Sequence, residues 1–176
     1  MKKVIFTLAI ATVAFTANAQ DKKSDKEFKF SVGVEAGLPL GDLKEGSSFG
    51  IGGSVMGEYA AAESLGLTLS AGYLTFSGKT IDVDGESFKS PSLNLIPVLV
   101  GAKYHFNDKF YGHAQLGMTF ASVKVEGVSA STSAFTYAPT IGVTPSENID
   151  ISVKYQAYSK GGGTTSFVGL RVAYVF

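Results

Sequence analysis

Apolar and polar side chains alternate along most of the sequence after residue 28, in runs of about ten residues. In residues 149–158, the even positions from 150 to 156 are polar, and the odd positions are all apolar: Ile149, Ile151, Val153, Tyr155 and Ala157. Because successive side chains of a β-strand point to opposite faces, this spacing predicts a strand with one apolar face and one polar face. Similar runs recur along the chain, whereas helical spacing is hard to find.

Eight strands are predicted, over residues 28–38, 49–59, 65–73, 93–106, 110–121, 135–144, 149–158 and 166–176. The fourth run is irregular, because Ser92 and Asn94 fall on the parity of its apolar residues. Its Pro97 has no backbone N–H to donate to a strand ladder, and proline is tolerated at bulges. We therefore predict a β-bulge near Pro97 that resets the register of this strand.

The connections between these strands alternate in length. Residues 61–64, 107–109 and 145–148 are tight turns, while residues 39–48, 77–91, 122–133 and 159–164 are longer and polar. Short turns at one end and long loops at the other, with an even number of strands, are typical of an up-and-down barrel. The predicted fold is all-β: an eight-stranded antiparallel up-and-down transmembrane β-barrel, with its long loops outside the cell.

The composition of the two faces separates a membrane barrel from a soluble carrier barrel with an apolar interior. Only seven charged residues lie in the predicted strands: Lys29, Glu35, Glu58, Lys103, Asp150, Lys154 and Arg171. A water-facing exterior carries more charge, and the small residues of the polar face suit the narrow lumen of eight strands. Aromatic residues gather near both ends of the apolar face, as at the two interfaces of a bilayer. We therefore expect the apolar face to contact lipid.

The first 27 residues differ from the rest in composition. Residues 1–19 combine Lys2 and Lys3, an apolar stretch and the small-residue end Ala17-Asn18-Ala19, which is typical of a secretory signal peptide. Residues 20–27 hold six charges in eight positions and are predicted to be a disordered periplasmic tail. The barrel then covers residues 28–176. We expect export to the cell outer membrane through a cleaved signal peptide.

Charge and cysteine content exclude several functions. Basic and acidic residues are equal in number, at 15 each, and the chain has a single arginine, Arg171. No basic stripe is available to neutralise phosphates, so we expect no nucleic-acid partner. The absence of cysteine excludes disulfides, a thiolate nucleophile and a cysteine-based metal site. We expect no cofactor.

Three segments carry a resemblance to a known family: Ile96-Pro97 running into Lys103-Tyr104-His105-Phe106, the restart Phe110-Tyr111-Gly112, and the end from Gly169 to Phe176. The chain resembles the small outer-membrane β-barrel domain proteins of the OmpA-like and PorT-like kind. The resemblance implies that the ending is an assembly signal, recognised by the barrel-assembly machinery during insertion, with Gly169, Val172, Tyr174 and Phe176. We expect no peptidoglycan-binding domain after Phe176, so cell-wall anchoring is not implied. We expect a monomer in outer-membrane lipid.

The charged residues of the polar face are the candidate site. Three cations and three anions are predicted to point into the lumen: Lys103, Lys154, Arg171, Glu35, Glu58 and Asp150. Unpaired charges in a narrow interior are costly, so pairing is expected. These residues would form either an ion-pair network that fills the lumen or a gate across a small pore.

Other clusters are weaker candidates. His105 and His113 flank a tight turn and would either form hydrogen bonds in the lumen or, with Glu58, hold a metal. Asp82, Asp84 and Glu86 lack the ligand spacing of a calcium loop and are predicted to be a solvated loop tip, and Gly161, Gly162 and Gly163 are predicted to form a flexible loop. The sequence shows no nucleophile and base at a spacing typical of catalysis, so we do not expect the protein to be an enzyme. A structural or surface-interaction role and a narrow porin-like channel or small-solute binding barrel stay open.

Overall fold

The computed structural model describes residues 28–83, 86–125 and 128–176. The predicted signal peptide and tail lie outside these residues, as do the side chains of the acidic cluster around Gly85. The elements are β1 (Phe28–Leu40), α1 (Asp42–Gly46), β2 (Ser47–Ala62), β3 (Leu65–Gly78), β4 (Thr80–Val83), β5 (Glu86–Lys89), β6 (Leu93–His105), β7 (Phe110–Val125), β8 (Val128–Ser146), β9 (Ile149–Lys160) and β10 (Gly163–Val175).

Eight of the strands close into an antiparallel barrel, in the order β1-β10-β9-β8-β7-β6-β3-β2, and β4 and β5 form a separate hairpin. The first and last barrel strands pair over ten residues, with Glu35 opposite Arg171. The predicted fold class is therefore confirmed. Closure pairs the two edges that an open sheet would leave without hydrogen-bond partners. No helix among the described residues is long and apolar enough to cross a membrane.

Several predicted loops are more ordered than the sequence indicated. The loop predicted at residues 122–133 is mostly strand, because the β7–β8 ladder continues to the pair Val125 and Val128. Backbone pairing does not depend on apolar alternation, so the ladder extends beyond the apolar part of the barrel. The loop predicted at residues 159–164 is also shorter than the sequence indicated, because Lys160 and Gly163 already pair. Gly161 and Gly162 form a two-residue hairpin turn with φ of 60° and 87°, in the region that favours glycine.

The predicted bulge at Pro97 is wrong. The register between β6 and β7 is continuous through Pro97, which lies opposite Thr119. Pairing with β3 lapses between Ala71 and Leu74 and resumes in the same register, so the missing N–H interrupts the ladder without shifting it. Asn94, which falls on the apolar parity, accepts a 2.9 Å hydrogen bond from the Tyr73 hydroxyl at the loop end of the barrel. A cross-strand partner therefore satisfies this polar side chain.

The faces of the strands are arranged as the alternation predicts. Large apolar side chains cover the outer surface, among them Val34, Leu69, Val100 and Ile141, each at least 59% exposed. Glu35, Lys154 and Arg171 point inward and are at most 7% exposed. A cluster of buried apolar residues also lies inside the barrel, at the loop end and next to α1. The lumen therefore has a charged middle and an apolar loop end.

Candidate functional site

The upper half of the charged lumen is built on β1, β9 and β10. Lys154 Nζ donates to Glu35 Oε2 at 2.6 Å, and Arg171 Nε lies 3.9 Å from Glu35 Oε1. Arg171 also donates to Ser54 Oγ at 2.8 Å and Ser31 Oγ at 3.0 Å. Because β10 lies between β1 and β9, closure of the barrel is what brings these side chains together.

The lower half of the charged lumen lies toward the turn end of the barrel. Arg171 Nη1 lies 3.7 Å from Asp150 Oδ1, and Lys103 Nζ lies 3.2 Å from Asp150 Oδ2. Lys103 Nζ also donates to Glu58 Oε2 at 3.0 Å, and His105 Nε2 donates to Glu58 Oε1 at 3.2 Å. The lumen therefore holds one continuous series of ion pairs that ends in the hydrogen bond between Glu58 and His105, here called the ion chain: Lys154, Glu35, Arg171, Asp150, Lys103, Glu58 and His105.

All six charged residues selected from the sequence belong to the ion chain, in strict alternation of sign. Each has at least one partner of opposite charge within 4 Å, as burial of a charge requires. The arrangement neutralises the charges of the lumen and fills its middle with side chains. It offers electrostatic and steric closure of the lumen.

Tyr111 is a site residue that the sequence reasoning missed. Its hydroxyl lies 2.8 Å from both oxygens of Asp150, and its ring lies 4.0 Å from Lys103 Nζ. A Cβ at Gly142 on the neighbouring strand would overlap this ring, so glycine is what allows Tyr111 to lie flat against the wall. The alternation within residues 110–121 places Tyr111 on the inward face, and this was the signal in the sequence that could have identified it as a lumen residue.

The two histidines have separate partners. His113 Nε2 and Thr68 Oγ1 are hydrogen-bonded at 2.8 Å, whereas His105 contacts Glu58. Within the described part of the chain, no group of three or more His, Asp or Glu side chains is placed to hold a metal ion. The geometry places each histidine in a hydrogen bond of the lumen.

Two cavities lie along the barrel axis within the described residues. A vestibule of about 870 Å³ opens at the turn end, and Glu58, Lys103, His105 and Asp150 of the ion chain line it. A second cavity of about 30 Å³ lies among Glu35, Lys154 and Arg171, room for only about two water molecules. The wide vestibule thus ends on the ion chain.

The residues of the predicted assembly signal lie along β10 and just beyond its end. Gly169 faces the lumen beside Lys154, while Val172 and Tyr174 point outward. The Phe176 ring packs against Tyr174 at 4.9 Å and Phe30 at 6.2 Å between centroids. Phe30, Tyr174 and Phe176 together form an aromatic surface on the outside of the barrel at the turn end.

Comparison with protein families gives one match: the model of the outer membrane protein beta-barrel domain, over residues 7–176. No curated protein matches the chain.

Solved structures share the fold at low sequence identity. Neisserial surface protein A is 17% identical with a TM-score of 0.63, over 86% of this chain and 98% of that protein. Ail, the attachment invasion locus protein of Yersinia pestis, is 16% identical with a TM-score of 0.58, over 86% and 98%. The N-terminal barrel of Pseudomonas aeruginosa OprF is 15% identical with a TM-score of 0.57, over 84% and 97%.

Proposed function

Because the chain belongs to the outer membrane protein β-barrel domain family, it is an integral outer-membrane barrel in contact with lipid, and we propose that it has a structural or surface-interaction role. In this proposal the lumen does not serve as an open pore, and the loops are offered to partners outside the cell. The names of two structural neighbours, a surface protein and an attachment invasion protein, support a role at the surface.

The ion chain is the observation that carries the proposal. Glu35, Asp150 and Lys103 are each at most 3% exposed, and each contacts at least one opposite charge. An ion crossing the lumen would have to break these pairs in a narrow interior, where separating opposite charges is costly. A paired, side-chain-filled lumen therefore favours a plugged barrel.

Export and assembly follow the same proposal. Residues 1–19 would be removed as a signal peptide, leaving residues 20–27 as a periplasmic tail, and the mature protein would be a monomer. The barrel-assembly machinery would contact Gly169, Val172, Tyr174 and Phe176, and the outward position of Tyr174 and Phe176 supports such contact. The mass of the protein purified from membranes would report cleavage after Ala19.

The vestibule favours a second candidate, a small-solute binding barrel. Its volume of about 870 Å³ is that of an ordinary ligand pocket. Solute would enter from the turn end and stop at the ion chain. A narrow channel would need this path to continue past Arg171.

Planar-bilayer conductance tests the plugged barrel. The purified protein is expected to give no stable unitary steps. Stable steps that change in Glu35→Gln or Arg171→Gln, but not in Lys160→Gln, an exposed residue that lines neither cavity, would contradict the proposal and establish a channel through the ion chain.

A further inference from the structure

An apolar layer closes the loop end of the lumen, above the ion chain. It consists of side chains that are at most 8% exposed: Leu43, Leu74, Phe76, Leu95, Tyr158 and Phe167. The Phe167 ring lies 5.2 Å from the Phe76 ring, edge to face, and 5.9 Å from the Tyr158 ring, stacked. We call this layer the apolar seal.

The wall of the barrel fits closely around the apolar seal. A Cβ at Gly50 would lie 2.5 Å from the Phe76 ring, and a Cβ at Gly37 would lie 2.8 Å from the same ring. The ring therefore packs directly against the backbone of β1 and β2. Such contact leaves no space for water between Phe76 and the wall.

Helix α1 covers the apolar seal from the loop side. Its Leu43 is 8% exposed and belongs to the seal. The backbone N–H of Lys79 donates to Gly46 O at 3.1 Å, and Lys79 Nζ donates to Lys44 O at 2.5 Å, so α1 is tied to the end of β3. Before α1, Gly41 has φ of 52°, which gives the chain a sharp change of direction there.

We propose that the apolar seal is a second permeability barrier, in series with the ion chain, and that α1 is its lid. An apolar constriction excludes ions because water inside it is unstable. Gln156 lies on β9 between Lys154 of the ion chain and Tyr158 of the seal, and it is 0% exposed. The inference rests on the proposed plugged barrel and adds that breaking the ion chain alone does not open the lumen to the outside.

A cysteine reporter between the two barriers tests the apolar seal. The chain has no cysteine, so Gln156→Cys introduces a single thiol, here called the reporter thiol. Lipid vesicles that hold this variant with its loop end outward are treated from outside with a charged, membrane-impermeant thiosulfonate reagent. We expect the reporter thiol to be protected, and Leu43→Ser with Phe76→Ala to accelerate its modification about tenfold or more, because protection reflects local opening. Arg171→Gln in the Gln156→Cys chain is expected to keep the protection.

Controls fix the meaning of each outcome. Lys44→Cys on the loop side should react at once, and Phe49→Ala, an outward aromatic near the same end, should leave the protection of the reporter thiol unchanged. Heat-modifiable gel mobility reports folding of each variant. If the variant with both substitutions does not fold, the single variant Leu43→Ser tests the seal, because it removes only the contact of α1 with the seal.

Three results would overturn the seal. The first is that the reporter thiol reacts freely in the otherwise unchanged chain. The second is that it stays protected in the variant with Leu43→Ser and Phe76→Ala. The third is that Arg171→Gln alone exposes it. A separate result would contradict the proposal of a plugged barrel: conductance of the unchanged protein in a planar bilayer. A protein that is silent in bilayers but has a reactive reporter thiol would refute the seal while keeping the ion chain as the plug.

Discussion

Lys154 donates a 2.6 Å hydrogen bond to Glu35 inside the barrel, although 119 residues separate the two in sequence. Both side chains are buried. Since β1 and β9 are joined only through β10, this contact forms when the barrel closes. It links closure of the barrel to neutralisation of the lumen.

Removal of one partner of this pair should strongly destabilise the barrel. Lys154→Met leaves the 3.9 Å contact to Arg171 as the remaining ion pair of Glu35, and loss of a buried partner costs about 3–5 kcal/mol. Urea unfolding in lipid vesicles measures the free energy of unfolding. Glu35→Gln with Lys154→Met should recover part of the loss, since no carboxylate is then left without its lysine. A loss in the double variant equal to the sum of the losses in Lys154→Met and in Glu35→Gln would show that the pair is not coupled.

Asp150 should be the most sensitive position of the ion chain. It contacts Lys103, Arg171 and the Tyr111 hydroxyl, so Asp150→Asn weakens three interactions. The matched variant Tyr111→Phe removes only a hydrogen bond to a charged group, worth about 1.5–3 kcal/mol. Chemical unfolding should therefore rank Asp150→Asn below Tyr111→Phe in stability. The opposite ranking would place the anchor of the network at Tyr111.

The lipid-facing side of β3 offers a matched test of depth. Leu69 lies in the middle part of the barrel and Leu65 at the turn end, and both point outward. Leu69→Arg should cost about 2–4 kcal/mol and Leu65→Arg about 0–1 kcal/mol, because the cost of a charge falls toward the interface. Vesicle unfolding experiments compare the two. Similar costs would mean that the bilayer does not surround this strand.

The alternation predicted the faces of all eight strands because the side-chain period of a β-strand is fixed by its backbone. It also grouped Glu35, Lys154 and Arg171 at one height, once the first and last strands were taken to pair. It could not identify Tyr111 as a partner of Asp150, because that contact depends on the stagger of β7 relative to β9 across the lumen.

The apolar seal was missed for a different physical reason. Phe76 and Phe167 lie on the lumen parity of their strands, yet both are apolar. The sequence analysis assigned polar side chains to the lumen and apolar side chains to the exterior. That assignment does not allow for a lumen that is charged in the middle and apolar at the loop end. Alternation likewise gave no sign that Pro97 interrupts the β3 ladder while the register stays continuous.

The most direct test of the membrane orientation uses tryptophan, which the chain lacks. Tyr155 points outward and Phe167 inward, and they lie at nearly the same depth, because Tyr155 pairs with Val168 on β10. Single variants Tyr155→Trp and Phe167→Trp are folded into vesicles containing brominated lipids. Strong quenching of the indole fluorescence in Tyr155→Trp, with little quenching in Phe167→Trp, is the predicted result. Stronger quenching in Phe167→Trp than in Tyr155→Trp would contradict an apolar exterior in lipid around a charged lumen.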